Sequence, residues 1–323
     1  MRRVTVVVAG ILVLIALPFV LSEFRTVQLA TVGAYFIAIL GLDVLTGHSG
    51  QISLGHGAFM AVGGYTTAIL MANHGVQDVW TIPIAAGVAG GLGLLFGIPA
   101  LRLSGSYLAL ATFAIAIVLP TLLKKFDHFT GGSTGITLFG RPTQTGHGTG
   151  YLGLTNNTWL YALTWLVGVL VFLLAWWLLA SRFGRSLRAV RDSELAAAAS
   201  GVNRSAYKVA AFGVSAAYAG AAGALYAINV AYVSPDAFPI QLSLFLLVGA
   251  VMGAFGSIWG ALAGALLIQF LPDIVGVLPH VDTKQAGPAT FFYGAVLVAL
   301  ILLLPFVLRV ASSIADRSYS RTP

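Results

Sequence analysis

Long apolar runs dominate the chain, and three polar segments punctuate them. Runs long enough for a bilayer, about 20 residues each for a hydrocarbon core of about 30 Å, cover residues 4–21, 27–45, 56–72, 81–100, 107–123, 158–180, 207–231, 241–256, 258–272 and 289–309. The pattern predicts an all-α, polytopic transmembrane helical bundle of about ten spans that forms a single transmembrane domain over residues 1–323. The run at 56–72 is rich in glycine, and those at 241–256 and 258–272 are short and separated only by Ser257. Re-entrant or broken helices there would reduce the count to eight.

The polar segments are 47–57, 124–158 and 181–208. The last, SRFGRSLRAVRDSELAAAASGVNRSAYK, holds six of the 17 Lys and Arg residues. A helix over 186–200 would set Arg188, Arg191 and Asp192 on one side and the small residues Ala189, Ser193, Ala196, Ala197 and Ser200 on the other. Gly201 follows as a C-terminal stop, because glycine takes the left-handed conformation without steric cost. Small side chains admit a close neighbour, so the segment reads as a short docking helix between spans. The alternative is a solvated connector whose arginines only set topology.

In the segment 47–57, GHSGQISLGHG, polar groups and glycines lie between two apolar runs. Its backbone groups need partners that hydrocarbon cannot supply, so it is expected to face protein or a water-filled path. A broken helix here would offer amides and the side chains of His48, Gln51, Ser53 and His56, with Gly55 between them, to a passing zwitterion. A tight glycine-mediated helix crossing is the simpler reading of the glycines themselves. Asp43, just inside the end of the second run, is costly in lipid and should face the bundle or reach the interface. His48 and His56, eight residues apart, lack metal-ligand spacing and read as packing or hydrogen-bonding residues. A weaker echo of the glycine pattern, GAFGSIWGA, begins at Gly253.

Composition agrees with the pattern: 58% of residues are hydrophobic and only 8% charged, against roughly 25% charged in soluble domains. The net charge of +7 therefore concerns orientation and anionic lipid rather than nucleic acid, since no basic cluster carries interleaved aromatics. With the N-terminus inside, Arg2, Arg3, Arg102, Arg182, Arg185, Arg188, Arg191, Arg204, Lys208, Arg309, Arg317 and Arg321 fall on the inner side. Arg25, Lys124, Lys125, Arg141 and Lys284 fall outside, a division of 12 to 5. This bias places both termini and the 181–208 loop in the cytoplasm and the glycine-rich 124–158 loop outside, as a plug, lid, partner surface or plain connector. Arg2 and Arg3 followed by an apolar stretch resemble a signal peptide, yet no small-x-small site precedes Glu23, so a retained first span is expected.

Chemistry is sparse. Without cysteine there is no disulfide, thiol nucleophile or Cys-ligated metal. None of the four lysines follows a glycine, so no Walker A loop exists, and HExxH is missing too. No cofactor or metal is implied, and any ATP-driven work needs a partner.

GLDVLTGHSGQISLGHGAFMAVGGYTTAIL, from Gly41 to Leu70, resembles the signature of LivM-type permeases, inner-membrane subunits of branched-chain amino-acid ABC importers. LRLSGSYLALATFA at 101–114, TGGSTGI at 130–136, FGRSLRAVRDSELAAAASGV at 183–202 and FGSIWGALAGALL at 255–267 agree in order. The resemblance implies a non-enzymatic permease that pairs with a homologous LivH-type permease. Two cytoplasmic ATPases would drive it, and a periplasmic binding protein would supply it with branched-chain amino acid. It also implies that Arg188, Arg191, Glu194, Ala196, Ala197 and Gly201 carry the contact with the ATPases. Leu195 stands where an E-A-A-x-x-x-G pattern has its acidic residue. Asp43 stands where Asn is more usual, which keeps urea and short amides open as substrates. A secondary transporter or channel acting alone, with Asp43 as its ion site, is the competing class.

Overall fold

The computed structural model describes residues 17–18, 20–103, 105–140, 155–252 and 258–276. Its helices are α1 (Glu23–Leu42), α2 (His56–Asn73), α3 (Asp78–Ala100), α4 (Ser106–Lys125), the single turn α5 (Asp127–Thr130), α6 (Asn156–Ala180), α7 (Arg182–Asp192), α8 (Glu194–Ala199), α9 (Arg204–Val230), α10 (Ile240–Met252) and α11 (Ile258–Gly276). A π-helical turn, Asp43–His48, continues α1. Two short strands, β1 (Ile136–Thr137) and β2 (Tyr232–Val233), pair antiparallel.

Among the described residues five helices are long and apolar enough to cross a membrane: α1 with its π turn, α3, α4, α6 and α9. The expected runs at 4–21 and 289–309 lie essentially outside the described residues, as does the start of the GAFGSIWGA echo. A count of ten therefore does not rest on this structure. The glycine-rich run became an 18-residue helix, α2, and the described part of the run at 241–256 is helical, within α10 (Ile240–Met252).

The bundle is organised around α9, which packs against α1, α2 and α3. The reason lies in its sequence: Ala211, Ala216, Ala219, Ala222, Ala224 and Ala227, with Gly213, Gly220 and Gly223 among them, give a surface without bulk. In lipid there is no hydrophobic drive between helices, so close packing of such faces does the work. A Cβ built on Gly63 of α2 would lie 2.0 Å from the Gly220 carbonyl oxygen, and one on Gly223 would lie 1.9 Å from that of Met60. The two backbones touch, and only glycine fits. Two threonines inside these helices spend their hydrogens locally: Thr31 donates to the Val27 carbonyl at 3.1 Å and Thr66 to that of Val62 at 2.7 Å.

α4 and α6 flank this core and turn Tyr107, Leu110, Val118, Leu166, Leu170, Leu174 and Trp176 outward. Apolar residues on that perimeter suit contact with lipid or another apolar helix.

The two ends of the bundle differ in kind. One end, the basic end, collects Gly47–Gln51 and the 181–208 segment. The other carries α5, the strand pair and the Pro235–Ala237 turn, tied by an ion pair of 2.7 Å between Lys124 and Asp236. There Gly135 passes so close to β2 that a Cβ would lie 2.2 Å from the Val233 carbonyl oxygen. The described part of the 124–158 loop is thus stitched down onto the α9–α10 connection, while residues 141–154 lie outside the described set.

Candidate functional site

Residues 43–57 form a helix break in which side-chain hydroxyls supply many of the backbone partners that a regular helix would provide. The π turn ends α1, and Ser49 Oγ donates back to the Leu45 carbonyl at 2.7 Å. Gly50 reverses the chain at φ 72°. Gln51–Gly55 then runs without helical bonds until α2 starts at His56. Along it, Thr112 Oγ1 of α4 accepts from Leu54 N at 2.9 Å, Ser53 Oγ from Gly55 N at 3.3 Å, and Ser243 Oγ of α10 from Gly57 N at 2.9 Å. This is how irregular backbone survives at membrane depth, with protein groups standing in for water.

The break reaches the middle of the bundle. His56 Nε2 lies 2.8 Å from Ser215 Oγ, and Ser215 itself donates to the Gly41 carbonyl at 2.7 Å. One hydroxyl hydrogen cannot serve both, so His56 must carry its proton on Nε2 and donate to Ser215. Its Nδ1 is then a buried acceptor, and no hydrogen-bond partner for it is present among the described residues. Ser215 is the twelfth residue of α9, about 16 Å from its start at 1.5 Å per residue, so this contact lies far from both ends.

The six expected path residues separate into two groups. Gln51, Ser53, Gly55 and His56 are buried in the break. Gln51 donates to Ser49 Oγ at 2.9 Å and to the Lys208 carbonyl at 3.2 Å. Asp43 and His48 instead line a groove of about 320 Å³ at the basic end, together with Leu40, Phe172, Trp176 and Arg188. His48 Nδ1 lies 3.3 Å from the Asp43 carbonyl oxygen and 3.9 Å from its Oδ2. Asp43 is thus mostly enclosed by protein, with its side chain opening only onto this groove. Among the described residues no group of three or more His, Asp or Glu side chains could hold a metal.

The 181–208 segment differs from a single helix over 186–200. Ser193 is extended, at φ −159° and ψ 110°, and its hydroxyl accepts from Ala196 N as the N-cap of α8. That competition between side chain and backbone splits the helix into α7 and α8. Glu194 then pairs with Lys208 and lies 3.7 Å from Arg204, so its carboxylate faces the base of α9. Ala197 is buried, whereas Leu195, Ala196, Ala198, Ala199 and Ser200 are exposed. Gly201 takes φ 82° and closes the turn. Arg188 donates to the Leu179 carbonyl at 3.3 Å, and Arg191 donates to that of Gly47 at 2.7 Å. Sequence reasoning did not find Thr112, Ser215 or Ser243. Each is a small hydroxyl residue within a mostly apolar helix, and the signal for them was only that a polar break needs polar neighbours.

Among the described residues, five helices of membrane-crossing length, a helix break buried among them and a basic elbow joined to it are the architecture of a multi-span helical membrane protein. The chain belongs to the family described as the branched-chain amino acid transport system / permease component, whose profile matches residues 26–305. It is 35% identical over 281 residues to the high-affinity branched-chain amino acid transport system permease protein LivM of Escherichia coli K12, covering 81% of this chain and 66% of that relative. Against the LivH permease of the same system and organism it is 25% identical over 301 residues, covering 89% and 94%. The ribose import permease protein RbsC of Escherichia coli K12 is 27% identical over 316 residues, covering 92% and 91%. The chain spans just under two thirds of the length of its LivM relatives, 66% and 65%. No solved structure matches it.

Proposed function

We propose that this chain is one permease subunit of an ATP-driven importer of branched-chain amino acids, multi-pass in the cytoplasmic membrane with both termini inside. The observation that carries the reading is the joint likeness to LivM and LivH permeases, together with a basic elbow that bears exposed small residues and touches the helix break. A LivH-type permease completes the path, and two cytoplasmic ATPases seat on the elbow. A periplasmic binding protein delivers the substrate. The chain itself performs no bond chemistry; closure of the ATPases shifts the elbow, and the bundle moves between outward-open and inward-open states. The break, with Gln51, Ser53, Gly55 and His56, is the flexible element beside the path.

Three structural features support the division of labour. Leu195, Ala196, Ala198 and Ala199 are presented on α8, an apolar, low-bulk face suited to a cleft in a partner. Glu194 is committed to Lys208 and Arg204, so it holds the elbow rather than the ATPase. The similarity to a ribose import permease over nearly the whole chain supports assigning the larger part of specificity to delivery by the binding protein.

The test is reconstitution of the chain with its neighbouring permease, ATPases and binding protein in proteoliposomes. ATP-dependent uptake of leucine, isoleucine or valine that requires the binding protein is expected, and Ala198→Arg should abolish copurification of the ATPases. Uptake that proceeds without ATP or ATPases, driven by an ion gradient, would overturn the reading in favour of a secondary transporter.

A further inference from the structure

We infer that Arg191 is a positioning residue that transmits movement of the basic elbow into the helix break; the inference rests on the importer reading above. Arg191 Nη1 donates to the Gly47 carbonyl at 2.7 Å, across 144 positions of sequence. Its stem lies on Gly50, where an added Cβ would come within 2.8 Å of Arg191 Cγ. Gly50 takes φ 72°. One side chain therefore grips both the carbonyl that ends the π turn and the glycine that reverses the chain.

A second contact runs parallel to the first. Gln51 donates to the Lys208 carbonyl at 3.2 Å, and Lys208 is joined through its ammonium to Glu194. α7, α8 and the base of α9 thus form one closed unit, with two attachments to residues 47–51. Beyond them the chain from Gly50 to Gly55 spans at most about 18 Å when extended. Its far end is held by hydroxyls of the buried residues Thr112, Ser53 and Ser243. A displacement applied to α7 reaches the mid-bundle start of α2 through the six non-helical residues 50–55.

The chemistry favours arginine at this position. Its Nε and Nη2 lie 3.0 Å from Asp192 Oδ1 while Nη1 serves Gly47. The planar fork allows both at once, and a lysine ammonium on a flexible stem cannot reproduce that geometry. The exposed pair with Asp192 contributes little by itself; the charge-assisted bond to the Gly47 carbonyl is the stronger contact.

The experiment uses the assembled complex in proteoliposomes and compares Arg191→Ala, Arg191→Lys and Asp192→Asn with the unaltered chain. Copurification of the ATPases, ATP hydrolysis and uptake are measured on the same preparations. Arg191→Ala is expected to assemble and to hydrolyse ATP within about twofold of the unaltered complex, while uptake per ATP falls at least about tenfold. Arg191→Lys should recover part of that ratio, and Asp192→Asn should match the unaltered complex. An unchanged ratio in Arg191→Ala would overturn the inference, and so would loss of the ATPases from an otherwise folded permease, which would make Arg191 part of the docking face. Should Arg191→Ala fail to fold, Arg191→Lys decides, since a ratio equal to the unaltered complex also refutes transmission. Failure of the unaltered complex to couple uptake to ATP would instead strike the importer reading itself.

Discussion

Alanine at Gly223 and alanine at Gly87 are the same substitution in two apolar helices, and the structure gives them opposite outcomes. At Gly223 the new Cβ would lie 1.9 Å from the Met60 carbonyl oxygen. Ordinary contact begins near 3.4 Å, so α2 and α9 must part locally by about 1.5 Å, the difference of the two distances. The oxygen belongs to helical backbone and cannot rotate away, and Gly63 on the Gly220 carbonyl blocks a sideways slide. A gap of only about 0.5–1 Å forfeits a quarter to a half of each dispersion contact along the crossing. The cost is therefore placed at the top of the usual overpacking range, about 3 kcal/mol. At Gly87 nothing lies within 4 Å of the built Cβ, so the change should be neutral or gain up to about 1 kcal/mol of helix propensity. Titration of the purified protein in mixed micelles with dodecyl sulfate, followed by tryptophan fluorescence, gives both numbers. Equal midpoints for the two variants would refute the assignment of α2–α9 as a backbone-to-backbone crossing.

Ser215→Ala leaves His56 Nε2 and the Gly41 carbonyl without their buried partner and should cost about 1–3 kcal/mol in the same titration; a loss under about 0.5 kcal/mol would mean that the contact carries nothing. Gly55→Ala meets Thr112 at 3.2–3.3 Å and should retain uptake, whereas Gly55→Leu should abolish it while the complex still assembles; normal uptake by the leucine variant would remove the break from the path. Because the chain has no cysteine, Thr145→Cys and Ala189→Cys report topology directly. Position 145 should react with an impermeant thiol reagent in intact cells and position 189 only after permeabilisation, and the reverse pattern would invert the orientation.

Much of the molecule was legible in the order of residues. Helices α1, α3, α4, α6 and α9 follow apolar runs read within a few residues of their observed ends, because a lipid-spanning backbone has to bond to itself and the length is set by the bilayer. That segment 47–57 is no regular lipid-facing helix was legible for the same reason, since its backbone groups need partners that hydrocarbon cannot supply; the non-helical part is 50–55. Gly201 was legible as a stop, because a positive φ selects glycine. What sequence alone could not give was direction. Arg191 and Glu194 sit on a basic elbow and read as facing a partner, yet one reaches the Gly47 carbonyl and the other Lys208. Ser193 reads as one more small residue on a helix face, and only its extended backbone shows that it caps α8. His48 and His56 flank one glycine turn, but the reversal at Gly50 sends them to a groove at the basic end and to the centre of the bundle. Spacing along a chain fixes which residues can share a helix face. Which carbonyl a guanidinium meets 144 positions away is decided by packing, because that distance is set by glycine contacts between α1, α2 and α9 rather than by the residues that meet.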